Sequence, residues 1–133
     1  MTLVIDASAL SEYLVASGRG TSVAAHLAAD RQLHLPHLAT VETVSVLRGL
    51  VRGGELSQKR AQGALADLAD LPATRWASDS LLGRIWELRD DFSAYDATYI
   101  ALSEALDATL LTCDTRLARA AEQAARCAVQ VIS

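Results

Sequence analysis

The hydrophobic positions fall into two alternating kinds of segment. Short, nearly unbroken apolar runs cover Thr2 to Ile5, Gln32 to Leu35, Ala73 to Ala77, Ala108 to Cys113 and Ala128 to Ile132. Longer alanine-rich stretches cover Ala9 to Ala16, Ser22 to Ala29, Thr40 to Arg52, Gln58 to Leu71, Ser80 to Asp90, Ala94 to Ala105 and Thr115 to Ala125. Apolar runs without polar alternation predict strands buried on both faces. Alanine has the highest helix propensity, so the stretches between them predict helices. Strands alternating with helices predict a parallel sheet of about five strands inside a three-layer α/β/α domain over residues 1–133. Gly53-Gly54 ends one helix before the next begins, and Asp107 separates the sixth helix from its strand. In the third helix Val41, Val44, Leu47 and Val51 recur at helical spacing and predict the core-facing stripe, with Glu42, Ser45 and Gly49 on another face.

Composition narrows the class. A chain of 133 residues, 51% hydrophobic, can bury a proper core and is not disordered. No apolar run approaches the ~20 residues a membrane helix needs. The opening Met-Thr-Leu-Val-Ile-Asp lacks a basic region and cleavage site, so the expectation is a cytoplasmic protein without a membrane partner. Cys113 and Cys127 form no disulfide framework, match no zinc spacing, and read as small core residues. Pro36 prevents His34 and His37 from forming a helical pair, and His26 has no acidic neighbour at ligand spacing, so surface or loop roles are expected for all three. Trp76, Trp86, Tyr13, Tyr95, Tyr99 and Phe92 read as core or interface residues, too scattered for a base-stacking platform. No GxGxxG follows the first strand and no GxxxxGK[ST] occurs, which weakens dinucleotide and P-loop readings.

Four acids change the picture. Asp6 and Asp114 each end an apolar run, while Glu42 and Asp96 fall early in predicted helices. In an open α/β sheet, ligands bind in the crevice at the carboxyl ends of the strands, where such acids could converge. Clustered carboxylates repel and desolvate poorly, so they call for divalent cations. Each acid also has a plainer reading. Asp6 and Asp114 suit helix N-caps, although Ser8 could cap the first helix and leave Asp6 free. Ser93-Ala-Tyr-Asp96 has capping-box spacing. Glu42 could lie on a solvated face near Arg48. The net charge of −4 opposes a nucleic-acid partner, but without these four acids the rest balances at twelve against twelve, as it would for any four.

Basic residues flank these positions. Arg48, Arg52, Lys59 and Arg60 surround the Gly53-Gly54 turn, and Arg116 and Arg119 follow Asp114. They read either as solvated helix faces or as a rim for a phosphate backbone, with Arg116 preferred for its closeness to Asp114.

Val4-Ile5-Asp6-Ala7-Ser8, Glu42, Tyr95-Asp96-Ala97 with Ala101, and Leu110-Leu111-Thr112-Cys113-Asp114 with Arg116-Leu117 together resemble the PIN-domain nucleases, most closely the VapC toxin branch. Leu117 departs from the Phe that many relatives carry. The resemblance implies a sheet of order 3-2-1-4-5 and an acidic quartet of Asp6, Glu42, Asp96 and Asp114 that is both catalytic and metal-binding. It implies Ser8 and Thr112 as supporting hydroxyls, with Arg116, Arg48 and Arg52 as candidate RNA contacts. It further implies endoribonuclease activity dependent on Mg2+ or Mn2+, on tRNA or another translation-related RNA. Hard cations of this kind suit an all-carboxylate set. The implied partners are a VapB-like antitoxin and a second toxin copy. Two alternatives stand beside this. One is an inactive PIN domain acting as a binding module, against which the intact quartet argues. The other is a haloacid-dehalogenase-like phosphatase, which would want an acid where Ser8 stands and a catalytic lysine, Lys59 being the only one.

Overall fold

A computed structural model describes residues 1–28 and 32–133. Among the described residues, five strands form one parallel sheet: β1 (Thr2–Ile5), β2 (Gln32–Pro36), β3 (Thr74–Trp76), β4 (Thr109–Thr112) and β5 (Val129–Val131). Their order is β3-β2-β1-β4-β5, as the resemblance implies. Seven helices among the described residues connect them: α1 (Ala7–Leu14), α2 (Gly18–Ala28), α3 (Leu38–Arg52), α4 (Gln58–Asp70), α5 (Leu82–Glu87), α6 (Ala94–Ala105) and α7 (Thr115–Ala124). The predicted end of the second helix at Ala29 lies outside the described residues. No helix among the described residues is long and apolar enough to cross a membrane.

Strand β1 is the central strand. Leu3, Val4 and Ile5 are all buried, and consecutive strand residues point to opposite faces, so both faces are covered. Helix α6 packs against β1, β2 and β4, and its middle, from Ala97 to Ser103, is buried. Its hydroxyls are hidden by back-bonding: Thr98 donates to the Ala94 carbonyl and Ser103 to that of Tyr99. β1 pairs with β4 through Ile5 opposite Leu111, and the Asp6 amide extends this ladder to the Leu111 carbonyl at 3.1 Å. The chain turns toward β2 and β3 on one side of β1 and toward β4 and β5 on the other. β1 and β4 therefore flank the switch point where such sheets bind ligands.

Several expected boundaries move for physical reasons. α1 begins at Ala7 because Asp6, not Ser8, is its N-cap. α2 begins at Gly18, earlier than Ser22, because the Ser17 hydroxyl accepts the Gly20 amide at 3.0 Å. Only glycine fits at position 20, where a Cβ would stand 2.2 Å from the Glu12 carbonyl oxygen and force α1 and α2 apart. The predicted helix from Ser80 to Asp90 is a 3-10 turn over Asp79–Leu81 followed by the six-residue α5. Asp90 and Asp91 follow the end of α5, where carboxylates oppose the helix dipole.

The core-facing stripe of α3 is also corrected, except at Leu47, which is buried as expected. Its buried residues are Ala39, Thr43 and Leu47, while Val41 is 71% exposed and Val44 is exposed too. Thr43 is hidden by donating its hydroxyl to the Ala39 carbonyl at 2.7 Å, and small residues let α3 approach the core closely. Gly53 caps this helix and Gly54 follows at φ 75°, a conformation costly for other residues.

Candidate functional site

Asp6, Glu42, Asp96 and Asp114 line one cleft of about 460 Å³, together with Ser8, Ser45, Tyr95 and Tyr99. Four different elements bring them there. Asp6 directly follows β1 and caps α1, Glu42 is in α3, Asp96 is in the first turn of α6, and Asp114 follows shortly after β4 and caps α7. Three helix N-termini thus lie at the cleft, and their partial positive charge offsets part of its negative charge.

Asp6 is the most constrained of the four. Its Oδ1 accepts the Ser8 hydroxyl at 2.6 Å and the Ala9 amide at 3.0 Å, and its Oδ2 accepts the Thr112 hydroxyl. The two hydroxyls are fixed in turn, since Ser8 Oγ accepts the Cys113 amide and Thr112 Oγ1 the Asp114 amide, each at 3.0 Å. Ser8 and Thr112 therefore clamp Asp6 across the β1–β4 junction. A carboxylate has about four acceptor positions, and three are taken here, leaving one for an added ligand.

The remaining acids keep more freedom. Asp114 uses Oδ1 for its cap, accepting the Arg116 and Leu117 amides at 3.0 and 3.1 Å. Ser93 caps α6 by accepting the Asp96 amide at 3.1 Å. Glu42 makes no ion pair with Arg48; its Oε1 accepts the Tyr99 hydroxyl at 2.7 Å. Tyr99, read from the sequence only as core, is 2% exposed and holds Glu42 from beneath the cleft. An aromatic three positions after Asp96, one turn along the same helix, was the available signal.

The electrostatics follow from burial and crowding. Burial pushes the Asp6 carboxyl above its ordinary value, with a further push from Asp114, against the pull of its three hydrogen bonds. Glu42 is raised by burial and by Asp96 and Asp6. Asp96 is raised by burial and by Asp114, while Arg116 opposes the rise. No three of these side chains stand close enough, among the described residues, to enclose one ion as they are arranged. Their donor set is nonetheless all hard oxygen, with open positions on Asp6, Glu42 and Asp114, which suits Mg2+ or Mn2+.

The basic candidates separate. Arg116 is exposed beside Asp96. Arg48 and Arg52 line a different groove between α3 and α4, with Val44, Val51 and Leu65, and none of the four acids borders it. Two other readings need revision. His34 is buried in β2 and its Nδ1 accepts the Trp76 indole N–H at 2.9 Å, so it is neither a surface nor a loop residue. Cys113 is buried as expected, but Cys127 only partly so.

Residues 3–123 match the PIN domain family. The chain is 39% identical over 130 residues to a VapC ribonuclease of Mycobacterium bovis, covering 98% of each. Among solved structures it is similar to PAE2754 from Pyrobaculum aerophilum, with a TM-score of 0.72 at 20% identity, covering 98% of this chain and 84% of that one. It is also similar to VapBC2 from Rickettsia felis, solved bound to a DNA fragment from their promoter, with a TM-score of 0.69 at 12% identity and full coverage of both.

Proposed function

The chain belongs to the PIN-domain family and to its VapC-type toxins, and from that premise we propose a metal-dependent endoribonuclease that hydrolyses phosphodiester bonds of tRNA or another translation-related RNA. The observation that carries this reading is the convergence of Asp6, Glu42, Asp96 and Asp114 on one cleft from four separate elements. These four would hold Mg2+ or Mn2+. When bound, such ions lower the pKa of a coordinated water and neutralise charge on the phosphate.

The chain's own residues supply the frame. Ser8 and Thr112 keep Asp6 in one rotamer, so a ligand meets a preset carboxylate. Tyr99 does the same for Glu42. Caps fix the backbones that carry Asp96 and Asp114. Arg116 would meet a phosphate oxygen at the cleft's edge. No side chain acts as nucleophile.

The partners of this reading are a VapB-like antitoxin, in keeping with the VapB–VapC pairing of the Rickettsia felis neighbour, and a second toxin copy, with action in the cytoplasm. Purified antitoxin-free protein should cleave RNA with Mg2+ or Mn2+, and excess EDTA should stop it. Asp6→Asn and Asp96→Asn should abolish cleavage while circular dichroism shows the fold retained. Undiminished cleavage by both variants, or in EDTA, would defeat the assignment. Light scattering of the protein alone and with co-expressed antitoxin tests the partners.

A further inference from the structure

A second cleft, of about 400 Å³, lies beside the acidic one and is bordered by Arg89, Asp96, Arg116 and Leu117, with Asp90 and Asp91 on the same rim. Asp96 borders both clefts, so the two adjoin through one side chain. We propose that this cleft is a phosphate subsite for single-stranded RNA, gripping the backbone next to the cleaved position through Arg89 and Arg116. The proposal rests on the ribonuclease reading and extends it to the neighbouring nucleotide.

The state of the two guanidinium groups carries the argument. The ion pairs among the described residues are Arg19–Glu12 and Arg84–Glu104, so neither Asp90 nor Asp91 neutralises the arginines beside it. The Arg116 side chain has no hydrogen-bond acceptor among the described residues and borders the cleft together with Asp96. Arg89 is held in place without being used up. Its guanidinium carbon lies 4.4 Å from the centre of the Trp86 ring, and one nitrogen donates to the Trp86 carbonyl at 2.9 Å. A guanidinium stacked on an indole keeps most of its five donors for a phosphate. Trp86 itself is 66% exposed, and Tyr95, at the lip of the acidic cleft, is 63% exposed. Tyr95 thus borders the acidic end of the proposed track and Trp86 backs Arg89, and each exposed ring offers a face to an unstacked base. The aromatic residues that look scattered along the sequence are here divided between core and surface.

Asp90 and Asp91 explain why the occupant is a chain and not a free anion. They repel a lone phosphate. A phosphodiester already seated at the acidic cleft meets the arginines as an intramolecular event, at high effective concentration.

The test is steady-state cleavage of a short single-stranded RNA, with Mg2+, by the unaltered protein and by Arg89→Ala, Arg116→Ala, Arg89→Lys and an outlying control, Arg126→Ala. Each alanine variant in the cleft should raise KM about tenfold with kcat nearly unchanged, and lower the salt slope by about one. Arg89→Lys should recover part of the loss, and the control should match the unaltered protein. A substrate with one neutral methylphosphonate beside the cleaved bond should weaken binding to the unaltered protein and leave Arg116→Ala indifferent. If the unaltered protein cleaves and both alanine variants match it at every salt concentration, the subsite is refuted while the ribonuclease reading stands. Variants that cleave normally but release the antitoxin would also refute it, by assigning the arginines to a protein contact. If no RNA is cleaved at all, the ribonuclease reading falls and the subsite with it.

Discussion

The Tyr99 hydroxyl donates to Glu42 Oε1 at 2.7 Å, joining two residues that are 57 positions apart in the chain. Burial and the neighbouring Glu42 carboxylate both push the Tyr99 phenol far above its ordinary value, so it stays a donor at any working pH. Tyr99→Phe removes only this oxygen. We expect the fold to survive with a loss of about 1 kcal/mol, a typical cost for one hydrogen bond. Glu42 would then sample other rotamers, and more Mg2+ would be needed for half-maximal cleavage. Cleavage titrated against Mg2+ checks this, and a curve superimposable on the parent's would refute it.

Glu42 also sets a stability prediction. Its folded pKa lies above the ordinary 4.5 because of burial and nearby acids. Below that ordinary value the carboxyl is protonated in both folded and unfolded chains. Between the two values the folded chain holds a proton that the unfolded chain has lost, so stability falls as pH rises through this window. Glu42→Gln should therefore raise the metal-free melting temperature at pH 7, and the advantage should vanish near pH 4. A variant less stable than its parent at pH 7 without metal would contradict this.

His34 works in the opposite direction. Burial holds its imidazole below the ordinary 6.5, and the Trp76 indole needs Nδ1 unprotonated. The unfolded chain takes up a proton first as pH falls, so this contribution is complete above about 6.5 and is lost below it. In a Trp86→Phe background, Trp76 fluorescence should report the change. His34→Gln should flatten the difference between the pH 7 and pH 5 melting temperatures, and equal slopes for parent and variant would rule the effect out.

Ser93 separates capping from chemistry. Ser93→Ala leaves the Asp96 amide without its acceptor and should cost about 1 kcal/mol. Cleavage assayed well below the melting temperature should keep its kcat. A collapse of kcat at full folding would show that the cap and the site are not separable.

Much of this was legible in the sequence because it depends on local pattern. Short, mostly apolar segments between helical stretches marked all five strands, and an acid directly after Ile5 or Cys113 marked the strand ends that face the cleft. What depends on packing was less legible. The hydrophobic stripe of α3 pointed to Val41 and Val44, yet Ala39 and Thr43 are what the core accepts. Tyr99 was placed in the core but not beneath Glu42, because the contact joins two helices whose relative placement no local pattern states. Arg48 and Arg52 stand behind Arg116 as candidate RNA contacts along the chain, and the turn of α3 carries them to another groove altogether.

The hydroxyl of Thr112 clasps Asp6 across 106 positions of chain. Asp6 is thus made long before its clamp. A ribosome translating this message holds an unfinished blade: until β4 and the turn into α7 have left the exit tunnel, Asp6 has no Thr112, and Asp114 does not yet exist. Parallel pairing of distant strands is also slow to form. Birth order thus leaves an interval in which the cleft is incomplete.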